Sequence, residues 1–501
     1  MYLCLFSSAR SQSAGIEATL SEVGASALLN SLVPLVEQKI GSLPIPDLPF
    51  DQDGFEGSVT NVKCENLAVA SQSVSYASNA ISVNLEGMSL SCSANWNFKL
   101  KIWPHKPDGS GSVDISVTNT KASMSVGLIT SNLHPQLQCA PVSLSIGDIN
   151  LSFHGSALDW ILNLFKSLIE NAIKNALQGT VGSSIASFIN DDVNKELQGL
   201  NLDLAIAAPP PFDIAEARFG FVANPVINPT FIGVQMQGDV VSISSPNAPL
   251  PIPSPSLPPF SPASDGQLYI EAFISSYTLV SAAYTYFAAG LEHWILTSEQ
   301  IPLGFNETQA YLLIAPGMLV AYPTNASVQL TVSVGDIPEV VITNASGVAA
   351  TLPLVLSFEA ENANATFTQA FAVNAIATLS LIPSVGENPK VSGGLIITGS
   401  FKYISSTLTL NSTNVGPINV NLLSIFAGVT LEDVIVPILN VLLGTGLPIP
   451  SADGLTLTNA TLTTGDGYIL LGSDFTFAPS INGDSEFNKL AKKAAIVINK
   501  V

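Results

Sequence analysis

The sequence predicts an α+β protein of two tandem elongated domains, each an antiparallel β barrel or strongly curved sheet packed on long helices. The chain has 501 residues, too many for one hydrophobic core, so more than one domain is expected. The order helix, strand meander, long helix occurs twice. A segment with eight prolines in seventeen residues, 246–262, separates the two occurrences and predicts an extended connector.

The composition is apolar for a soluble protein. Apolar residues make up 47% of the chain and charged residues 11%, against roughly 25% charged in an average domain. The longest apolar candidate, 434–450, is interrupted by polar residues and prolines, so we predict no transmembrane helix. An internal apolar groove accommodates the excess apolar surface, and a larger core is the alternative.

The charge balance excludes nucleic acid as a partner. The net charge is −21, and residues 219–389 contain no Lys or Arg. Residues 14–240 carry 10 basic and 21 acidic side chains, and residues 241–480 carry 2 and 15. Both halves are therefore acidic.

Two features favour an extracellular location. Residues 1–13 are interpreted as a truncated secretory signal, with a disordered start as the alternative. Asn-x-Ser/Thr glycosylation candidates occur at Asn150, Asn306, Asn325, Asn344, Asn364, Asn411 and Asn459.

The first domain is assigned to residues 14–240. Apolar residues spaced by three and four predict an amphipathic helix over 15–40. Near-alternating polarity over 57–153 predicts an antiparallel meander, and helical spacing returns over 157–200. A linker over 241–264 follows.

The second domain is assigned to residues 265–480. A helical stretch at 275–290 precedes about a hundred residues of strand-like sequence, and a long helix is predicted at 422–446. The tail, 481–501, is interpreted as a frayed end or a membrane-touching helix.

The sequence carries no motif for catalysis or metal binding. The four histidines, His105, His134, His154 and His293, are scattered, and there is no nucleophile elbow, phosphate loop or Cys/His metal spacing. We therefore expect neither an enzyme nor a cofactor.

Several long segments resemble the family of bactericidal/permeability-increasing and lipopolysaccharide-binding proteins. They are FGFVANPVINPTFIGVQMQGDVVS at 219–242, NVGPINVNLLSIFAGVTLEDVIVPILNVLLGTGLPIPSADGLTLTNATL at 414–462, and GYILLGSDFTF at 467–477. SLSCSANWNF, with Trp103 nearby, is similar to the plant and algal branch. The resemblance covers about residues 14–480.

The resemblance implies a boomerang of two domains joined by a central sheet, with an apolar pocket for acyl chains in each. In the first domain the corresponding residues are Ile16, Leu20, Val23, Trp160, Leu164 and Leu168. In the second domain they are Tyr277, Val280, Tyr284, Leu423, Val434 and Ile438. Apolar stripes of the same spacing also form ordinary cores, which is the alternative for each residue.

The resemblance also places a head-group-binding tip on the first domain. The matching turn, 95–111, holds Lys99, Lys101, Lys106 and His105, flanked by Trp96 and Trp103. The alternative is an ordinary solvated strand face. The acidic sign of this half departs from the basic animal members of the family.

The cysteines depart from the family pattern as well. Cys139 fits the strand side of the family disulfide, but the helix position falls near Gly182, which has no thiol. If the chain turns at Ser78, Cys64 and Cys92 face each other across two strands, which predicts a disulfide. Cys92–Cys139 remains the alternative, and Cys4 is assigned to the signal.

We expect an extracellular protein that holds phospholipid or lipopolysaccharide acyl chains and acts in bacterial-lipid recognition or innate defence. A lipid-transfer protein for phospholipid or neutral lipid, without an immune role, is the second hypothesis. A structural or adhesive glycoprotein with filled cores is the third. Expected partners are amphiphilic lipids and, transiently, a membrane or lipid-particle surface.

Overall fold

The computed structural model describes residues 14–478 apart from 41–46, 53, 78, 102–107, 156–158, 254, 256, 261–266, 389–393 and 451–454. The assigned signal and tail therefore lie outside the described residues. The strands are β1 Ile16–Ser21, β2 Leu48–Gln52, β3 Phe55–Ala68, β4 Ser71–Ala77, β5 Ala80–Leu100, β6 Asp108–Ser131, β7 His134–Cys139, β8 Ser143–Ser145, β9 Asp148–Gly155, β10 Asp203–Ala205, β11 Ala215–Arg218, β12 Val226–Asn228, β13 Phe231–Met236, β14 Val240–Ser242, β15 Ile270–Ser275, β16 His293–Leu296, β17 Val328–Val334, β18 Glu339–Thr343, β19 Gly347–Glu361, β20 Phe367–Glu387, β21 Leu395–Thr413, β22 Leu447–Pro448, β23 Leu455–Gly465 and β24 Tyr468–Phe477.

In each half of the chain one helix precedes the strand meander and a series of helical segments follows it. They are α1 Glu22–Ile40, α2 Asp159–Ala176, α3 Gly182–Ser187, α4 Asn194–Gln198, α5 Ser276–Ala288, α6 Met318–Ala321, α7 Val420–Thr430 and α8 Val436–Leu443. π-helical turns at Leu177–Val181, Phe188–Val193 and Leu431–Ile435 interrupt the long helices that follow each meander. Short 3₁₀ turns occur at Pro302–Gly304 and Thr308–Tyr311.

A six-stranded central sheet joins the two halves of the chain. Its order is β12-β13-β1-β15-β24-β23, so strands from both ends of the sequence lie side by side. Strand β1 is the seam, because Leu20 pairs with Ile232 of the first half and with Ile270 of the second. The predicted architecture of two tandem sheet-and-helix domains joined by a central sheet is confirmed.

The predicted helix over 15–40 is wrong in its first turns. Residues Ile16–Ser21 form β1, and the helix begins at Glu22. The apolar residues Ile16, Ala18 and Leu20 fit the two-residue alternation of a strand, and Ile16 and Leu20 also fit the spacing of a helix. The two neighbouring strands, β13 and β15, supply the hydrogen bonds that favour the strand.

The first domain is an eight-stranded antiparallel sheet covered by helices. The order is β2-β3-β5-β6-β7, with β4, β8 and β9 on its flanks. Alternate residues of β5, including Trp96, Phe98 and Leu100, are buried. Ile169 and Ile173 of α2 pack in the same core.

Two asparagines attach the helical cover to the edge strand β7. Asn190 bonds to both backbone groups of Cys139, and Asn194 does the same at Leu137. Each amide accepts from a backbone N–H and donates to a backbone carbonyl, so it satisfies polar groups that an edge strand otherwise leaves open. Four hydrogen bonds thus hold the helix to the strand.

The second domain is a seven-stranded sheet ordered β16-β17-β19-β20-β21-β22, with β18 paired to β19. Side chains of β19 alternate between buried and half-buried along its whole length. The stretch Val420–Leu443 is long and apolar enough to cross a membrane by composition, with a mean hydropathy of 2.0. Leu423 and Phe426 on it are buried in the domain core, whereas Ile425 and Val441 are exposed.

A buried ion pair lies beside the central sheet, in the small sheet β10-β11-β14. Arg218 donates to both carboxylate oxygens of Asp239, whose side chain is 3% exposed. Arg218 Nη1 also donates to the carbonyl of Pro246, 2.9 Å away, at the start of the proline-rich connector. The connector returns to the central sheet at Phe260, which packs on Gly233 and Phe231.

Candidate functional site

The inner face of the second domain is a continuous apolar surface beneath a helix. Leu352 and Leu354 of β19 and Ala377 and Leu379 of β20 point to this side and are buried. They face Leu431, Ile435, Val436 and Leu439 of the segment that runs from the π-helical turn into α8. The cavity between them is ≈ 10 Å³, room for about one water molecule.

One carboxyl group lines this apolar cavity. Glu292 lines it together with Trp294. Its Oε2 is buried and has no hydrogen-bond partner within the described part of the chain. Burial raises the pKa of Glu292 to about 7, because the charged form is poorly solvated there.

We expect Glu292→Gln to stabilise the protein above neutral pH. When the pKa of a carboxyl is higher in the folded than in the unfolded protein, folding becomes less favourable as the pH rises from the unfolded pKa of 4.5 through the folded pKa of about 7. The glutamine amide has nearly the same shape and is neutral at every pH. The free energy of unfolding of the variant should therefore equal that of the wild type at pH 4 and exceed it by about 2 kcal/mol at pH 8, allowing for partial exposure. Urea unfolding at both pH values measures it, with exposed Glu299→Gln as the control. An equal gain at pH 4 would contradict the assignment.

Two of the three predicted second-domain pocket residues on the long helix, Val434 and Ile438, lie one position before residues that line the cavity. Leu423 is fully buried in the domain core, and Val434 packs against that core. Ile438 is half-buried. The cavity is lined instead by Ile435 and Leu439, the next residue in each case.

The other three predicted residues of this pocket lie on α5, away from the cavity. Tyr277, Val280 and Tyr284 are half-buried there. The fully buried face of α5 is a row of hydroxyls, Thr278, Ser281 and Thr285. Ser281 Oγ accepts from the backbone N–H of Val240, and Thr285 Oγ1 donates to its carbonyl. Helix α5 is therefore bonded to β14, and the six predicted residues do not form one surface.

Three predicted pocket residues of the first domain also lie elsewhere. Ile16 is buried in the central sheet, and Leu20 follows it on β1. Val23 is 52% exposed at the start of α1. Ile16 and Leu20 lie on one face of strand β1, whereas Val23 lies on helix α1, so the three residues do not form the single helical stripe that was predicted.

The described buried side chains of α2 and the turn after it pack in the first-domain core. Ile169, Ile173 and Leu177 pack in the first-domain core. The side chains of Trp160, Leu164 and Leu168 lie outside the described residues.

The predicted cationic tip is largely neutralised by acids. Lys101 Nζ lies 2.9 Å from Asp51 Oδ2 and 3.3 Å from Glu56 Oε2. Lys99 pairs in register with Glu56 on one side and with Asp108 on the other. Two described lysines thus stand among three carboxylates, and Lys99, Glu56 and Asp108 line an open depression of ≈ 610 Å³.

The tryptophan predicted to flank this tip is a core residue. Trp96 is 2% exposed, and its Nε1 donates to the carbonyl of Ser112. It stacks on Phe98 and meets Phe153 edge to face. Trp96 is therefore not available to a membrane surface, whereas Trp103, His105 and Lys106 lie outside the described residues.

The structure contains a disulfide between Cys64 and Cys92. The two residues face each other in the pairing of β3 with β5. Cys139 is a buried free thiol whose pKa burial raises, so the alternative Cys92–Cys139 pairing is not formed. Cys4 lies outside the described residues.

The glycosylation candidates are mostly accessible. Asn150, Asn325, Asn344, Asn364, Asn411 and Asn459 are exposed, and Asn306 is half-buried.

Within the described ranges no cluster of three His, Cys, Asp or Glu side chains could hold a metal ion. His154 forms an exposed pair with Asp114 at 2.9 Å.

Two family models together match most of the chain. The N-terminal domain of the LBP / BPI / CETP family matches residues 12–198, and its C-terminal domain matches residues 213–477. The chain belongs to this family. Its LBP/BPI/CETP membership agrees with the resemblance seen in the sequence.

Individual members of the family align with this chain along most of their length. A bactericidal permeability-increasing protein of Sebastes schlegelii is 24% identical over 88% of this chain and 91% of the relative. A putative BPI/LBP family protein of Arabidopsis thaliana is 24% identical, over 90% and 88%. The mouse lipopolysaccharide-binding protein is 23% identical over 74% of each chain.

A crystal structure of lipopolysaccharide binding protein shares the fold. The TM-score is 0.59 at 18% identity, covering 93% of this chain and 99% of that one. This LBP/BPI/CETP chain therefore has the two-domain boomerang architecture that the resemblance implied.

Proposed function

We propose that this protein binds the acyl chains of phospholipid or lipopolysaccharide between the curved sheet and the helices of its domains, and acts in recognition of bacterial lipid. The observation that carries the proposal is the apolar inner face of the second domain beneath a helix interrupted by a π-helical turn. Such turns often mark functional sites in helices. The names of the fish and mouse relatives support a bacterial lipid as the ligand.

An acyl chain requires the cover of this cavity to move. Ligand pockets usually enclose roughly 300–1,000 Å³, far above the ≈ 10 Å³ present here. We infer that the segment from Leu431 to Leu443 shifts outward when lipid enters. The turn Leu431–Ile435 weakens the regular hydrogen-bond ladder at the place where such a shift would begin.

We also propose an extracellular location and the domain division 14–240, 241–264 and 265–480. The exposed Asn-x-Ser/Thr sites support secretion, and the Cys64–Cys92 disulfide suits an oxidising compartment. The proline-rich connector supports a boundary near residue 245.

Filling the cavity should reduce the lipid carried by the protein. Leu439→Trp places a large ring where the chain would lie, while Val441→Trp adds the same ring at a position 66% exposed on the same helix. We expect the first variant to lose about half of the co-purifying lipid, because one of two domains is blocked. Native mass spectrometry of protein from a secreting host, with lipid extraction, measures the number of lipids per chain.

The matched pair separates blocking from general damage. Overpacking costs about 1–3 kcal/mol, so unfolding of both variants is recorded alongside. Wild-type lipid content in a folded Leu439→Trp variant would refute the second-domain pocket. Wild-type protein free of lipid would count against both pockets and favour filled cores.

A second candidate is a carrier of phospholipid or neutral lipid without an immune role. The pairing of Lys101 with Asp51 and Glu56 favours it, because the tip offers little unpaired positive charge to an anionic head group. Transfer of phosphatidylcholine between vesicles, without binding to lipopolysaccharide, would identify this function.

A further inference from the structure

The far end of the second domain carries an exposed apolar surface, which we call the C-terminal tip. It is formed by two segments, 308–322 and 414–425. Its exposed side chains are Leu312, Leu313, Val320, Leu422 and Ile425, which are 55%, 74%, 90%, 40% and 67% exposed. Clustered apolar exposure of this kind marks an interaction surface, whereas single exposed residues do not.

The two segments are held together. The backbone N–H of Asn419 donates to the carbonyl of Ile314 at 2.7 Å. The backbone at Gly317 approaches the carbonyl of Val415 so closely that a Cβ at this position would clash with it. The two segments that carry the exposed residues therefore lie side by side, although about a hundred residues separate them in the chain.

The C-terminal tip stands on a rigid aromatic base. Tyr311, directly before Leu312, is fully buried and packs on Phe358 and Phe371. Phe426, directly after Ile425, packs on Phe305 with ring centroids 4.7 Å apart. Because the base is closed, the outward leucines and isoleucine have no core left to enter, and their exposure is fixed by the fold.

Charge indicates what this surface contacts. Residues 308–322 and 411–430 contain no Asp, Glu, Lys, Arg or His, and exposed asparagines at 325, 411 and 414 lie beside the patch. The half of the chain that bears it, 241–480, has 2 basic and 15 acidic residues, so an anionic surface would repel it. An uncharged apolar surface with a polar rim fits the interface of a zwitterionic lipid layer.

We propose that the C-terminal tip inserts into a phosphatidylcholine surface and docks the protein there. The helix that begins at the tip, Val420–Leu443, continues to the cavity at Leu431 and Leu439, so the docked end and the apolar interior share one element. The docking does not depend on lipid being held in that cavity. A second copy of the chain is the competing occupant.

The test replaces the three most exposed residues of the C-terminal tip. The variant Leu313→Ser, Val320→Ser and Ile425→Ser is compared with Val341→Ser, Ile382→Ser and Ile404→Ser, which are 47%, 58% and 56% exposed elsewhere in the same domain. Full-length protein, treated to remove N-glycans, is mixed with phosphatidylcholine vesicles and sedimented. We expect the tip variant to bind at least tenfold more weakly and the control to bind as the wild type does.

Other outcomes would overturn the proposal. Equal loss in both variants would assign binding to general surface hydrophobicity. Wild-type binding by the tip variant, or stronger salt-sensitive binding to phosphatidylglycerol vesicles, would move the contact to the lysines near Lys99. If the tip variant abolishes a dimer in sedimentation velocity and vesicle binding is unchanged, the occupant is a second copy. Co-purifying lipid should stay at the wild-type level, which separates failure of docking from failure of the pocket.

Discussion

Replacing Arg218 with Met is expected to destabilise the protein by about 3–5 kcal/mol, because it leaves a buried carboxylate without its partner. Asp239 is 3% exposed on its side chain, and both of its oxygens accept from Arg218. The hydrogen bond from Arg218 to Pro246 at the start of the connector is lost as well. Urea denaturation gives the change in the free energy of unfolding.

Two further variants show whether the unpaired charge is the cause. Adding Asp239→Leu to Arg218→Met should recover most of the loss, because apolar groups can replace a buried pair at little cost. Lys121→Met removes an exposed pair with Glu86 and should cost less than about 1 kcal/mol. If Arg218→Met lowers the free energy of unfolding no more than Lys121→Met does, the Arg218–Asp239 pair does not stabilise the fold.

Phe358→Ala is expected to cost about 3–5 kcal/mol in the second domain. The ring is fully buried, stacks on Phe371 at 4.5 Å between centroids, and contacts Tyr311 and Phe426. Its removal leaves a cavity that this closed aromatic cluster cannot fill by small shifts. Calorimetric melting and urea unfolding measure the effect.

The neighbouring hairpin offers a matched control. Phe367 begins β20 and is 39% exposed, so Phe367→Ala removes the same ring from a position with few contacts. We expect it to cost less than about 1 kcal/mol. Equal losses at Phe358 and Phe367 would show that the aromatic cluster contributes no more than surface rings.

The order of elements could be predicted because it depends on local periodicity. The meander over 57–153 and the helices at 276–288 and 420–443 each carry a pattern that their own residues determine. Strand β1 could not be predicted in the same way. The apolar residues of β1 fit both the alternation of a strand and the spacing of a helix. Pairing with β13, more than 200 residues away in the chain, makes the segment a strand.

Helix phase could not be fixed from the sequence. The predicted stripes through Tyr277 and Val434 each precede the buried one by a single position. Neighbouring positions on a helix differ by about 100°, so a broad apolar arc leaves its centre undetermined until the sheet beneath is known. The cavity residues Ile435 and Leu439 were missed for this reason.

Charge at the first-domain tip was misjudged for a related reason. Lys99 and Lys101 cluster in the sequence, but two of the three acids that meet them, Asp51 of β2 and Glu56 of β3, come from about fifty residues earlier, and only Asp108 lies in the same turn. Strand pairing places opposite charges side by side, and a local window cannot detect this. Glu292 was missed as well, because its isolation in an apolar cavity arises from the helix packed above it.

The attachment of the first-domain helices by Asn190 and Asn194 has a consequence for stability under reducing conditions. Amide hydrogen bonds are indifferent to thiol reagents, so dithiothreitol leaves these helices fastened to β7. The bond it cleaves, Cys64–Cys92, links two strands that are already paired within one sheet. We therefore expect a reductant to remove one cross-link between two strands that stay paired, while the helical cover stays hydrogen-bonded to β7.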